Sequence, residues 1–129
     1  MDVFLSTMAR ASGGMEAQSA RLRAAAENIA NADTPGYRRK LVPFERVLLE
    51  DGGATVRAGR TILDRGELPE VYDPGHPMAD AEGYYEGSNV ALMIEIGDAR
   101  EAQRSYEANM RVLDQARQMA GSLLQLLRR

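Results

Sequence analysis

The sequence predicts a mainly α protein with a small β insert. Long heptad helices at both ends would form a coiled-coil-like tube domain, with an irregular, β-rich segment between them in the chain. Residues 2 to about 32 and 89 to 127 contain no proline. Both stretches space their stripe positions alternately by 4 and 3 residues, as a helix does when it packs along one narrow face. All five prolines and most of the twelve glycines lie between them, where a long helix cannot pass.

In the first stretch the stripe is Phe4, Met8, Ala11, Met15, Gln18, Leu22, Ala25 and Ile29. Thirty residues at ~1.5 Å each make a rod of roughly 45 Å. Gly13-Gly14 weakens its middle, at about 1 kcal/mol per glycine relative to alanine. The middle stretch offers short strands at Leu41–Glu45, Ala54–Arg57 and Glu70–Tyr72, with Asp51-Gly52-Gly53 as a turn between the first two. In the third stretch Leu92, Ile96, Ala99, Gln103, Tyr106, Met110, Leu113, Arg117, Ala120, Leu124 and Leu127 repeat the alternation over five heptads. Ser88 or Asn89 is placed to cap its start. Arg128 and Arg129 stand at the negative end of its dipole. The chain thus divides into 1–33, 34–88 and 89–129, the outer two being halves of one core. Alanine-lined stripes of unequal length cannot bury each other completely, so the surplus points to an oligomer or a polymer.

Composition narrows the chemistry. Aromatic residues are 5% and Trp is absent, which argues against a large compact core. Without cysteine there are no disulfides, thiolate metal sites or Cys nucleophiles. No apolar run is long enough to span a bilayer, and Met1–Ser6 lacks the basic-then-apolar start of a cleaved secretory peptide. The net charge of −3 is too small for strong electrostatic partnership with nucleic acid or an anionic membrane. Arg38-Arg39-Lys40 is basic, but it sits among seven basic and ten acidic residues over 34–88 and reads as a solvated or salt-bridged surface.

No catalytic constellation emerges. His76 is the sole histidine, held between Pro74-Gly75 and Pro77, and reads as a turn residue without the partners a base or a metal ligand requires. Asp80, Glu82 and Glu86 do not follow calcium-loop spacing. Ser6, Thr7, Ser12 and Ser19 have no base in reach. The expectation is a protein that is not an enzyme and holds no cofactor or metal.

The string Asn28-Ile29-Ala30-Asn31-Ala32-Asp33-Thr34-Pro35-Gly36-Tyr37 is a helix stop. Asp33 and Thr34 favour local side-chain bonds, the residue before Pro35 is pushed out of the helical region, and Gly36 completes a tight turn. The whole string resembles the signature of the bacterial flagellar rod and hook axial proteins, which carry it after an N-terminal heptad helix. Two further segments are similar to those of the short proximal-rod members. They are Tyr72-Asp73-Pro74-Gly75-His76-Pro77-Met78-Ala79-Asp80-Ala81-Glu82-Gly83-Tyr84 and Ser105-Tyr106-Glu107-Ala108-Asn109-Met110-Arg111-Val112-Leu113. After Asn89-Val90 the chain departs from that pattern, with Ala91-Leu92-Met93-Ile94 where a small polar residue and an acidic stretch would stand.

The resemblance implies a subunit of the rod, the periplasmic drive shaft that carries torque from motor to hook. It implies contact with copies of itself, with FlgB-, FlgF- and FlgG-like rod subunits and with a FliE-like rod-base adaptor. It also implies export through the flagellar type III apparatus without a cleaved signal. The stripe residues Phe4, Met8, Ala11, Met15, Leu22, Ala25, Ile29, Leu92, Ile96, Ala99, Tyr106, Met110, Leu113, Ala120, Leu124 and Leu127 would carry subunit contacts. Asn28, Asn31, Thr34, Pro35, Gly36 and Tyr37 would set how the chain leaves the helix. Tyr72, Pro74, Gly75, His76, Pro77, Asp80, Gly83 and Tyr84 form the family's loop motif. Residues 1–30 and the end of the last helix are expected to fold only on assembly. A coiled-coil adaptor or chaperone of the export system is the alternative, predicted to form a discrete dimer. A wall-degrading enzyme would need paired carboxylates in a cleft.

Overall fold

The computed structural model describes residues 2–128; Met1 and Arg129, which bound the outer segments expected above, lie outside them. The order is α1 (Asp2–Ala30), β1 (Lys40–Leu41), β2 (Phe44–Leu48), β3 (Ala54–Ala58), β4 (Ile62–Leu63), β5 (Glu70–Tyr72), β6 (Tyr84–Glu86) and α2 (Leu92–Leu127). The helices lie antiparallel against each other: Gly14 meets Asn109 at mid-length, and Asn28 shares a cleft with Glu95. The strands form three separate antiparallel pairs, β1 with β4, β2 with β3 and β5 with β6. Two long helices and a small β middle are the fold class expected from the sequence.

The middle departs from the expected strands at one point for a clear reason. Val42-Pro43 interrupts the Leu41–Glu45 run, because proline has no N–H to donate to a ladder. The chain therefore makes two strands there: β1 turns to Ile62–Leu63, and β2 pairs with β3 from Phe44↔Ala58 to Leu48↔Ala54. Asp51-Gly52-Gly53 does close the β2–β3 hairpin, with Gly52 at φ 84°. The partner strands β4 and β6 carry too few residues to show a period.

The core is built of small residues. Ala11, Ala17, Ala24 and Ala25 of α1 and Ala102, Ala116 and Ala120 of α2 are its buried apolar side chains among the described residues. Gly13 and Gly14, which look like weak points in the sequence, are close-approach positions. A Cβ on Gly14 would stand 2.7 Å from Asn109 Nδ2, and one on Gly13 would stand 2.9 Å from the Val56 carbonyl of β3. The helices and the hairpin come together because these positions carry no side chain.

Candidate functional site

The most tightly bonded region is the junction where α1 ends, the middle segment begins and α2 starts. Asn28 is 1% exposed. Its Oδ1 accepts from the Lys40 N–H (2.8 Å) and the Tyr37 hydroxyl (2.9 Å), and its Nδ2 donates to the Lys40 carbonyl (3.0 Å). Burial raises the Tyr37 phenol above its ordinary pKa. Asn31 Nδ2 donates to the Glu27 carbonyl at 2.9 Å, and its Oδ1 accepts from the Thr34 hydroxyl at 3.1 Å. Gly36, at φ 72°, donates its N–H to the Glu86 carbonyl and so ties the stop to β6. Pro35, half-buried in the same turn, makes no hydrogen bond from its nitrogen.

The segment between β6 and α2 closes the knot from the other side. Asn89 donates its backbone N–H to the Tyr37 carbonyl, accepts from Arg39 N–H at 2.7 Å and donates to the Asp64 carbonyl at 3.2 Å. Ser88 donates its hydroxyl to the Ala32 carbonyl. Neither residue caps α2, as the sequence suggested. Both face back to the α1 stop, and α2 begins after Ala91 with no side-chain cap.

Arg39 crosses the junction to Glu95, on the first turn of α2. Its Nε lies 2.6 Å from Glu95 Oε1, with Asp98 and Asp64 flanking it at 3.7 and 3.8 Å. Glu95 is 2% exposed, so its carboxylate is desolvated and depends on the Arg39 guanidinium. Arg38 donates to the Asp64 and Gly66 carbonyls. Lys40 pairs with Glu27 at 2.9 Å, a bond that raises the lysine's pKa. In the basic run Arg39, directed inward, and Lys40 are thus salt-bridged, and Arg38 is held by backbone carbonyls. Sequence reasoning missed Arg39, Asn89 and Glu95 as structural keys, since partners 50 and 56 residues apart leave no local pattern.

The loop motif closes β5–β6. Tyr72 and Tyr84 rings pack 5.1 Å apart, and His76 stacks on Tyr85 at 4.0 Å. Asp80 Oδ1 accepts from the Glu82 and Tyr84 N–H groups, and His76 Nδ1 accepts from the Met78 N–H. Gly83, at φ 91°, sits where a Cβ would lie 2.9 Å from Tyr72 and 3.0 Å from Pro74. Pro74, Gly75 and Pro77 are exposed bends of the same loop. Its contacts are internal to the hairpin. Among the described residues no group of three metal-ligating side chains converges, and no helix is long and apolar enough to cross a membrane.

The helical stripes sit in a phase offset from the one read in sequence. The α1 seam against α2 runs through Ala11, Gly14, Gln18, Arg21, Ala25 and Asn28, and the α2 seam through Glu95, Ala99, Ala102, Tyr106, Asn109, Leu113, Ala116 and Ala120. One half of each predicted stripe lies on this intrachain seam. The other half, Met8, Met15, Leu22 and Ile29 in α1 and Ile96, Gln103, Met110, Arg117 and Leu124 in α2, lies one residue further on, at the flank. Gln103 and Arg117 are exposed there and do not interrupt the seam. Phe4 is half-buried; Leu92 and Leu127 are exposed at the two ends of α2.

An alanine seam between antiparallel terminal helices, locked at one end by a polar junction, is the framework of this chain. Two family models match it: Flagella basal body rod protein over residues 8–38, and Flagellar basal body rod FlgEFG protein C-terminal over 81–126. Its curated relatives are flagellar basal-body rod proteins FlgC. The one from Agrobacterium fabrum is 43% identical over 99% of this chain and 98% of its own length. Those from Salmonella typhimurium and Borreliella burgdorferi are 39% and 34% identical, over 84% and 91% of this chain and 87% and 93% of theirs. The chain belongs to the FlgC family of flagellar basal-body rod proteins, a structural and non-enzymatic family of the basal body.

Proposed function

We propose that this chain, a structural subunit of the flagellar basal-body rod, polymerises through the apolar flanks of its helices into the part of the shaft that passes torque from motor to hook. The observation that carries this is the apolar surface its own fold leaves uncovered. Val3, Leu5, Met93, Leu126 and Leu127 are each more than half exposed. Burying such a side chain against a neighbour contributes roughly 1.5–3 kcal/mol. Residues 1–33 and 89–129 act together as the rod core, with 34–88 as the outward insert. The half-buried and exposed stripe residues Met8, Met15, Leu22, Met110 and Leu124 meet copies of the chain and FlgB-, FlgF- or FlgG-like subunits. A FliE-like adaptor lies at the rod base.

The same features suit export through the type III apparatus. A core of alanines and glycines is easily unfolded, and helices with thin seams hold together weakly when isolated. Both terminal segments would then order fully only on assembly, which unprotected amides in the free monomer would support.

The test is the triple variant Leu124→Glu, Leu126→Glu and Leu127→Glu. It should keep its helical circular dichroism, stay monomeric at concentrations where the parent chain assembles, and fail to restore motility to a deletion strain. Basal bodies from that strain should retain the membrane ring and lack the rod. Assembly and motility like the parent's would overturn the proposal, and a discrete dimer at all concentrations would favour an adaptor.

A further inference from the structure

The tip of the β2–β3 hairpin holds the chain's single Asp-Gly step, Asp51-Gly52, and no Asn-Gly step occurs. Glycine is the least hindered successor an aspartate can have, because no Cβ shields its amide nitrogen from the preceding side chain. The aspartyl carboxyl can therefore close on that nitrogen. Both residues are exposed. A cleft of about 470 Å³, lined in part by Leu5, Ser6 and Glu50, keeps Asp51 in reach of water.

In the folded chain the reacting groups are engaged elsewhere. The Gly52 N–H donates to the Leu49 carbonyl at 3.1 Å, and the Leu49 N–H donates to the Gly53 carbonyl at 2.8 Å, which fixes the turn. Asp51 Oδ1 accepts from the Gly53 N–H at 2.8 Å. Its Oδ2 accepts from the Ser6 hydroxyl and from Arg10 Nη2, the latter at 3.2 Å. The tip lies directly against α1, since a Cβ on Gly53 would overlap the Arg10 guanidinium. The carboxylate thus has partners on both oxygens, two of them on the helix. It must leave them before its carbon can swing over the Gly52 nitrogen. The Ser6 hydroxyl, then the Gly53 N–H, also favour its ionised form, whereas ring closure needs the neutral acid.

We infer that Asp51-Gly52 is a site of spontaneous isoaspartate formation, silenced by the Ser6 and Arg10 clasp and released when the first turns of α1 lift from the hairpin. In the reaction the Gly52 nitrogen bonds to Asp51 Cγ and gives up its proton. The carboxyl hydroxyl leaves with that proton as water, and a five-membered succinimide remains. Water then opens the ring. Addition at Cγ restores aspartate. Addition at the main-chain carbonyl carbon breaks its bond to nitrogen and gives isoaspartate, in which the backbone runs on through Cβ and Cγ. No oxidant or second substrate takes part.

The product changes the tip for good. Its backbone is longer by one carbon, and the free carboxylate, now on Cα, is one carbon shorter than the side chain that reached Ser6 and Arg10. The altered hairpin no longer clasps α1. Isoaspartate here records how long a chain has stood with its N-terminal turns undocked. The clasp lies within a single chain, so this site stands apart from the assembly reading above.

The test follows the free full-length chain at neutral pH over days. Trypsin releases residues 47–57 with Asp51 as the sole aspartate, and the isoaspartyl form is resolved by reversed-phase chromatography and assigned by fragmentation. The parent in strong urea sets the open rate. Asp51→Glu, which would have to close a six-membered ring, sets the blank. The folded parent should react roughly tenfold more slowly than in urea, as a bonded segment that opens only part of the time does. The double variant Ser6→Ala, Arg10→Ala should keep its helical circular dichroism and approach the urea rate. Ser6→Ala alone, which removes one hydrogen bond at an exposed position, should lie between. Equal rates in the folded parent and in both clasp variants would overturn the inference, as would a lack of isoaspartate at Asp51 in urea.

Discussion

The two ends of the helix pair are built on opposite terms. At the junction, Asn28, Asn31, Tyr37, Arg39, Asn89 and Glu95 direct their bonds inward, and three segments of chain converge on one hydrogen-bonded knot. At the far end, α2 has 36 residues against 29 in α1. Its last turns therefore run on with nothing beside them, Gly121 faces open space, and Leu127 is 74% exposed. A hydrogen-bonded end is complete in a single chain, because Asn28, Asn31, Tyr37, Arg39 and Asn89 all find partners within it. An apolar end is not, because its stabilisation comes from removing surface from water and no surface is there to remove it. The chain thus separates what holds its own shape from what remains for others.

Breaking the complete end should cost most. Arg39→Ala leaves the Glu95 carboxylate buried without its partner, with an expected loss on the order of 3 kcal/mol. A lowered urea midpoint at unchanged slope would register it. A loss under ~1 kcal/mol would mean that the ion pair behaves as a surface pair and that the knot is held by its neutral bonds alone.

The next contrast uses one substitution at two places. Gly14→Ala must push Asn109 from contact at 2.7 Å, whereas Gly121→Ala meets nothing within 4 Å. The first should destabilise by about 1–2 kcal/mol despite alanine's helix preference. The second should stabilise α2 by up to ~1 kcal/mol. Thermal unfolding of the two variants would check this, and equal shifts of the same sign would refute the difference between middle and end.

The smallest effect concerns the clasp between the hairpin tip and α1. The Ser6 hydroxyl, then the Gly53 N–H, donate to Asp51 and hold its carboxyl below the ordinary value of 3.8. Its contribution is complete above that value and is lost as pH falls through the lower, folded one. The Gly53 amide should therefore lose protection from exchange on acidification below about pH 4. In Asp51→Asn that acid dependence should vanish.

Much of the fold could be read from residue order, since proline-free heptads, a proline-bearing middle and the Asp-Gly-Gly turn each have local causes. The phase of the stripes could not. Alanine and glycine make the closest contacts here, and their small apolar area gives little contrast between neighbouring positions. The larger Met8, Met15 and Leu22 therefore mark the flank one residue beyond the intrachain seam. Pro43 could have warned that Leu41–Glu45 was two strands. For the junction, the helix-stop motif contains Asn28 and Tyr37, but Lys40, Asn89 and Glu95 reach it from outside any local pattern. A side chain's polar type does not announce a partner fifty residues away.

The two-point grip of Asn28 on Lys40 gives the middle segment its starting edge. A carboxamide that offers one donor and one acceptor to the backbone of a single residue does what a neighbouring strand would do. The helix end thereby acts as one rung for β1, on the side opposite to Ile62 and Leu63. Only twelve residues separate Asn28 from Lys40, so this rung closes a short loop at little entropic cost. The middle segment is thus anchored to a fixed edge at the end of α1.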